Sequence, residues 1–317
     1  MKFGKMALAA AGIALGGWLA GPTQGAGVLS ISDAIASILT AEAPGVILPV
    51  VFEDDDFSYV KKGRNNTGPG LEVGDIVTGI LEVQAIRAGS PKNSLFAPGI
   101  SKTSPSINIG AGTLYNELTA AFELVVTGGG IDPNGNPYAL LSSPPSFTEA
   151  LSGVAGAIPG QTAIMIFEDP LQDFNVGVSR PADKATAVNG VVWANIGFIG
   201  VGTEFYKITD VTDVPAGQGT TISEVVEFSL NYIQAPPPPS APWGGWDAAK
   251  NNFGTDVYAS GVLKKYGPGD PNSAFYDRNS DIDAVVLYVP LPSAAWAGLS
   301  LMSAMFGLQA WRRFRQA

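Results

Sequence analysis

Four oxygen-bearing side chains recur at every second position near the end of the chain: Asp277, Asn279, Asp281 and Asp283. Hard cations such as calcium take about six to eight oxygen ligands, and Asp and Asn at this spacing match the opening of a calcium-binding loop. The match is incomplete, since Ile282 stands where such loops turn on glycine and Tyr288 where they close on glutamate. The same period of two also places all four on one solvated side of an edge strand running into 284–288, and that is the competing reading. Glu53-Asp54-Asp55-Asp56, between Phe52 and Phe57, offers a second carboxylate group. Adjacent strand residues point to opposite faces, so these four converge on a cation only in a loop, and a solvated acidic turn is expected. Asp132, Asn134 and Asn136 form a third cluster, but Asp-Pro and Asn-Gly steps are turn formers first. Calcium is the one cofactor these residues suggest.

The chain has no histidine and no cysteine. That removes thiolate and imidazole nucleophiles, Ser-His-Asp relays and the usual zinc and haem sites. Carboxylate pairs are the remaining acid/base machinery, as in glycoside hydrolysis. With 28 acidic residues, some pair meets the required separation by chance, and nothing nominates which. No catalytic residue is assigned, and a noncatalytic role is expected. Trp243 and Trp246, interleaved with glycine, suit a sugar-stacking patch, since flat aromatic faces match the apolar face of a pyranose; core filling is the alternative.

The elements that must position these groups are mainly strands. Glycine (39) and proline (24) make about a fifth of the 317 residues, while charged residues are 15%. This balance favours short strands joined by turns. Apolar or alternating runs at 46–52, 75–87, 118–126, 162–167, 188–199, 205–208, 223–233, 256–263 and 284–288 read as strands. Helix is expected from Ser32 and Asp33 to about Thr40, with Ile31, Ile35, Ile38 and Leu39 at helical spacing, and around 147–154. Strands without alternating helices predict antiparallel sheets, and the expected fold is mainly β, an antiparallel β-sandwich-like body with a short N-terminal helix. The proline-rich stretch 235–246 reads as a rigid surface loop rather than a domain linker. Val51-Phe52-Glu53-Asp54 and Ile166-Phe167-Glu168-Asp169 echo one another, either as a duplicated unit or as two strands entering acidic turns.

The ends give an address. Lys2 and Lys5 precede an apolar run from Met6 to Ala20 and then small residues, the pattern of a signal peptide over 1–26. At the other end Val289-Pro290-Leu291-Pro292 precedes an apolar stretch, 293–310, long enough as a helix to span roughly 27 Å. Arg312, Arg313 and Arg315 follow, and arginines behind a tryptophan hold that end at the cytoplasmic face. This order resembles the VPLP variant of the PEP-CTERM sorting domain of Gram-negative bacteria. The resemblance covers the last 29 residues, 289–317. It implies that Val289, Pro290, Leu291 and Pro292 are the sorting motif, that 293–310 is a transient transmembrane anchor, that the arginines are the retention signal, and that the partners are the export machinery, signal peptidase and a membrane-embedded exosortase. It also implies a destination at the cell surface or in an exopolysaccharide-rich biofilm matrix, with exopolysaccharide as a further partner. The β-rich extracytoplasmic body, 27–288, carries 13 basic against 28 acidic residues, a balance of −15. Such a surface repels nucleic acid. The sequence thus predicts a structural, adhesive or glycan-binding surface protein, with a secreted carboxylate-dependent polysaccharide hydrolase as the alternative.

Overall fold

The computed structural model describes residues 29–41, 48–68, 70–88, 106–210, 224–237, 254–265 and 274–288. The expected signal peptide, Trp243, Trp246, the sorting motif Val289–Pro292, the anchor and Arg312, Arg313 and Arg315 lie outside these residues. Among the described residues no helix is long and apolar enough to cross a membrane.

The elements run α1 (Ile31–Ala41), β1 (Leu48–Lys61), β2 (Ile76–Ala88), β3 (Ser106–Asn108), β4 (Glu117–Ile131), β5 (Pro137–Ser142), β6 (Thr162–Asp169), α2 (Arg180–Ala187), β7 (Val191–Gly197), β8 (Phe205–Asp210), β9 (Glu224–Gln234), β10 (Val257–Lys265) and β11 (Arg278–Tyr288). The chain is mainly β and its strand pairs are antiparallel, as expected. The sandwich is corrected: the sheet closes on itself through β1, β11, β10, β9, β7, β6, β4 and β2, an eight-stranded barrel.

Closure follows from strand length. β4 has 15 residues and β9 has 11, long enough for each to take two partners along one edge. The first half of β4 pairs with β6 and its second half with β5, while the start of β9 pairs with β8 and its end with β7. The wall between β4 and β9 is therefore built from two stacked pairs, β6–β7 and β5–β8. Bulges at Glu53/Asp54 and Asn195/Ile196 add the local twist that bends a sheet into a closed ring. Gly79 lets β1 and β2 approach: a Cβ there would lie 2.3 Å from the Phe57 carbonyl oxygen and 2.8 Å from the Phe122 ring.

Two cores use the two faces of this wall. Inside, Phe52 meets Trp193 edge-on at 5.8 Å between ring centroids, Tyr206 stacks on Phe228 at 5.1 Å, and Leu81, Leu118, Phe122 and Ile282 fill around them. α1 adds Ile31, Ile35, Ile38 and Leu39 to the same core, beside β3 and the end of β2. The helix begins at Ile31, one residue before its sequence suggests. Ser30 is the cap: its Oγ accepts from the Asp33 N–H at 3.1 Å and Asp33 Oδ2 accepts from the Ser30 N–H at 3.2 Å, the reciprocal arrangement of a capping box. Outside, Tyr59, Ile80, Ala121, Met165 and Phe167 form a second core under the segment 147–158 and α2. The helix expected around 147–154 is a series of turns, held because buried Glu123 accepts from the Thr148, Glu149 and Leu151 N–H groups at 2.7, 3.0 and 3.1 Å. α2 was not anticipated, although Ser179 as cap with Pro181 in the first turn is a start signal that the sequence carries.

Candidate metal centre

β4 begins at Glu117 and β6 ends at Asp169, and the two residues lie directly across from one another in the antiparallel register. Both point to the outer face. Glu117 is 0% exposed and Asp169 2%. Beyond β6 the chain turns through Pro170 to Phe174, with Gln172 at φ 52, a left-handed conformation that costs a side-chain-bearing residue about 1–2 kcal/mol. The turn returns the chain over Glu117, whose two carboxylate oxygens accept from the Phe174 N–H at 3.2 and 3.1 Å. One oxygen each from Glu117, Asp169 and Asp173 then lies within 4.8 Å of the others. Oxygens that share one calcium ion at about 2.3–2.6 Å stand at such separations.

The electrostatics suit a cation. Burial pushes the Glu117 carboxyl up to about 7, against the Phe174 N–H that lowers it, and repulsion from Glu82, Asp169 and Asp173 adds to the rise. Asp169 Oδ1 accepts from the Leu171 N–H at 2.8 Å, but buried Oδ2 has no hydrogen-bond partner. A buried carboxylate oxygen without a donor carries its full desolvation penalty, and an ion or water is the usual remedy. Asp173 is exposed, accepts from the Asn189 amide at 2.9 Å and connects the buried pair to solvent. The chemistry available is that of a hard, oxygen-ligated cation, with water completing its shell.

The sequence-predicted residues fall elsewhere. Asn279, Asp281 and Asp283 occupy alternate positions on β11, with Asp277 just before it, and β11 lies between β1 and β10 rather than at an edge. Asp283 stands opposite Glu53, and Asp281 is in register with Asp55. Asp277 accepts from the Val60 N–H at 3.0 Å and Asn279 donates to the Asp56 carbonyl at 3.0 Å. The four are strung along a strand rather than gathered. Asp132 accepts from the backbone of Asn134 and Asn136, both at 2.8 Å, the turn role expected of it.

The solvated acidic turn expected at Glu53–Asp56 is corrected, because the run lies mid-strand in β1: Glu53 faces out toward Arg87 at 2.5 Å, while Asp54 and Asp56 face the barrel interior. Burial, helped by Asp56, raises the Asp54 carboxyl well above its ordinary range, although the Ile282 N–H at 3.2 Å opposes this. Of the metal centre, sequence reading touched only Asp169, through its Phe-Glu-Asp step. Glu117 and Asp173 gave no signal, because neither shares a short motif with the other ligands.

Compared with known protein families, with characterised proteins and with solved structures, the chain matches none.

Proposed function

We propose that this chain is an exported, noncatalytic surface or matrix protein, sorted by its VPLP tail, whose barrel is locked by calcium held between Glu117, Asp169 and Asp173. The observation that carries the calcium reading is the buried Asp169 Oδ2, which lacks a donor within a group of three converging carboxylates. A cation there ties the end of β6 and the loop after it to the start of β4. The structural, adhesive or glycan-binding role and the destination rest on the resemblance of residues 289–317 to an exosortase-sorted tail, with exopolysaccharide as the surrounding partner.

Melting the full chain in calcium and in chelator tests the first part. A ligand that binds only the folded state must raise its stability, so coincident transitions would sink the calcium reading. The intact mass and cell fraction of the mature protein, with and without exosortase in the host, test the second; a C-terminal segment retained in both hosts refutes sorting. The alternative, a carboxylate-dependent polysaccharide hydrolase, draws on the same residues, because a carboxyl at about 7 beside a second carboxylate has the makings of a general acid. Complete burial of Glu117 keeps it from a glycosidic oxygen and favours the cation.

A further inference from the structure

A cleft of about 460 Å³ opens on the outer layer, between the turn 148–152, the first turns of α2 and the outer faces of β1 and β2. That is the size range of small-molecule sites, about 300–1,000 Å³. Its charge runs against the body around it. Lys61, Lys62, Arg87, Lys207 and Arg278 each pair with a carboxylate. Among the described residues Arg64, Arg180 and Lys184 form no ion pair, and the last two line this cleft, four residues apart on one face of α2.

Each is pre-set. The Arg180 guanidinium lies 3.5 Å from the centroid of the Tyr59 ring and donates through Nε to the Phe275 carbonyl, contacts that leave its two terminal nitrogens uncommitted on an exposed side chain. Lys184 Nζ donates to the Glu149 and Ser152 carbonyls at 3.1 and 2.7 Å, and burial lowers its pKa. A flat guanidinium fixed on a ring presents a fork that matches a carboxylate at little entropic cost. Across the cleft stands the Glu149 carboxylate, which accepts from the Tyr59 hydroxyl at 2.7 Å and is paired with Lys61, with Thr148 and Ser152 beside it. Such a wall offers oxygens to hydroxyl donors.

We propose that this cleft binds a sugar acid, a ring-sized polyhydroxylated ligand whose carboxylate meets Arg180 with Lys184 alongside and whose hydroxyls face Glu149 and Thr148. The assignment goes beyond the calcium reading and does not depend on it. Isothermal titration of the full chain in chelator, with glucuronate, glucose and sulfate in parallel, tests it. Glucuronate is expected to give saturable heat that glucose at the same concentration does not. Arg180→Ala should weaken it at least tenfold, Arg180→Lys by less, with melting curves unchanged. Should Arg180→Ala lower the melting temperature, Arg180→Gln, which keeps the stem over Tyr59, takes its place and should show the same loss. Equal binding of glucose, or unaltered affinity in both neutral variants, overturns the proposal. Sulfate competing as strongly as glucuronate overturns it too, by reducing the cleft to a nonselective anion patch.

Discussion

The same three residues, Phe-Glu-Asp, occur at 52–54 in β1 and at 167–169 in β6, and the barrel wall turns them opposite ways. Phe52 and Asp54 face the interior while Glu53 reaches out to Arg87. Phe167 and Asp169 face the outer layer, while Glu168 accepts from the Ile31 N–H of α1 at 2.8 Å and from Asn116 at 2.7 Å. In β6 the preceding Ile164 and Ile166 already occupy the interior, so Phe167 must point out. The consequence is chemical. Asp54 lines a mostly apolar cavity of about 50 Å³, where burial raises its carboxyl well above its ordinary range, whereas Asp169 joins Glu117 and solvent-exposed Asp173. Whether an aspartate can hold a cation is decided by strand phase, which a motif of three residues does not specify.

If both faces of the wall are true cores, truncating either phenylalanine should cost alike. Phe52→Ala and Phe167→Ala remove side chains 6% and 2% exposed, and each is expected to destabilise by about 3–5 kcal/mol in urea unfolding. A Phe167→Ala loss below about 1 kcal/mol would break the comparison, by showing that the outer layer unfolds separately from the barrel.

The cation separates the two aspartates next. Calcium at about a hundred times its dissociation constant should add about 2.7 kcal/mol, which is a rise of about 5–10 °C in melting temperature for a domain of this size. Asp169→Asn should abolish that rise and Asp54→Asn should leave it intact. A rise surviving in Asp169→Asn would move the ion elsewhere.

A smaller effect comes from pH. The raised Asp54 carboxyl keeps its proton in the folded state where the unfolded chain has lost it, so its contribution is full below about 3.8 and declines as pH rises toward the folded value. Asp54→Asn is neutral throughout and lacks this slope. The melting temperature of the variant minus that of the wild type should therefore grow as pH rises above about 4 in chelator. A constant difference would mean that Asp54 is ionised at both ends.

These contrasts show which parts of the molecule were legible. Apolar periodicity found most long strands and α1, because burial on one face leaves a period that sequence retains. It missed short β3 and β5, and it put the acidic run at 53–56 in a turn, because two carboxyls inside a barrel contradict the pattern that marks a strand. Sequence does not separate a sandwich from a barrel here, because closure depends on β4 and β9 each taking two partners along one edge, a tertiary arrangement with no local trace. The metal centre was hidden for the same reason: Glu117 and Asp169 are neighbours by register, 52 positions apart in the chain.

The smallest expected effect concerns the residues that the sequence marked most clearly. Alternate residues of a strand are about 6–7 Å apart along it, so positions 279, 281 and 283 of β11 are spaced too widely for one ion to collect all three. Asp283 also stands directly across from Glu53, a like charge. Asp283→Asn should therefore change stability by no more than about 0.5 kcal/mol, the range of ordinary surface substitutions, and should leave the calcium-induced rise in melting temperature as it is. Measured beside Asp169→Asn, the variant distinguishes carboxylates strung along a strand from carboxylates gathered across a register. If Asp283→Asn removed the calcium response and Asp169→Asn kept it, the ion would sit on β11, and strand phase would have ranked the two acidic regions in the wrong order.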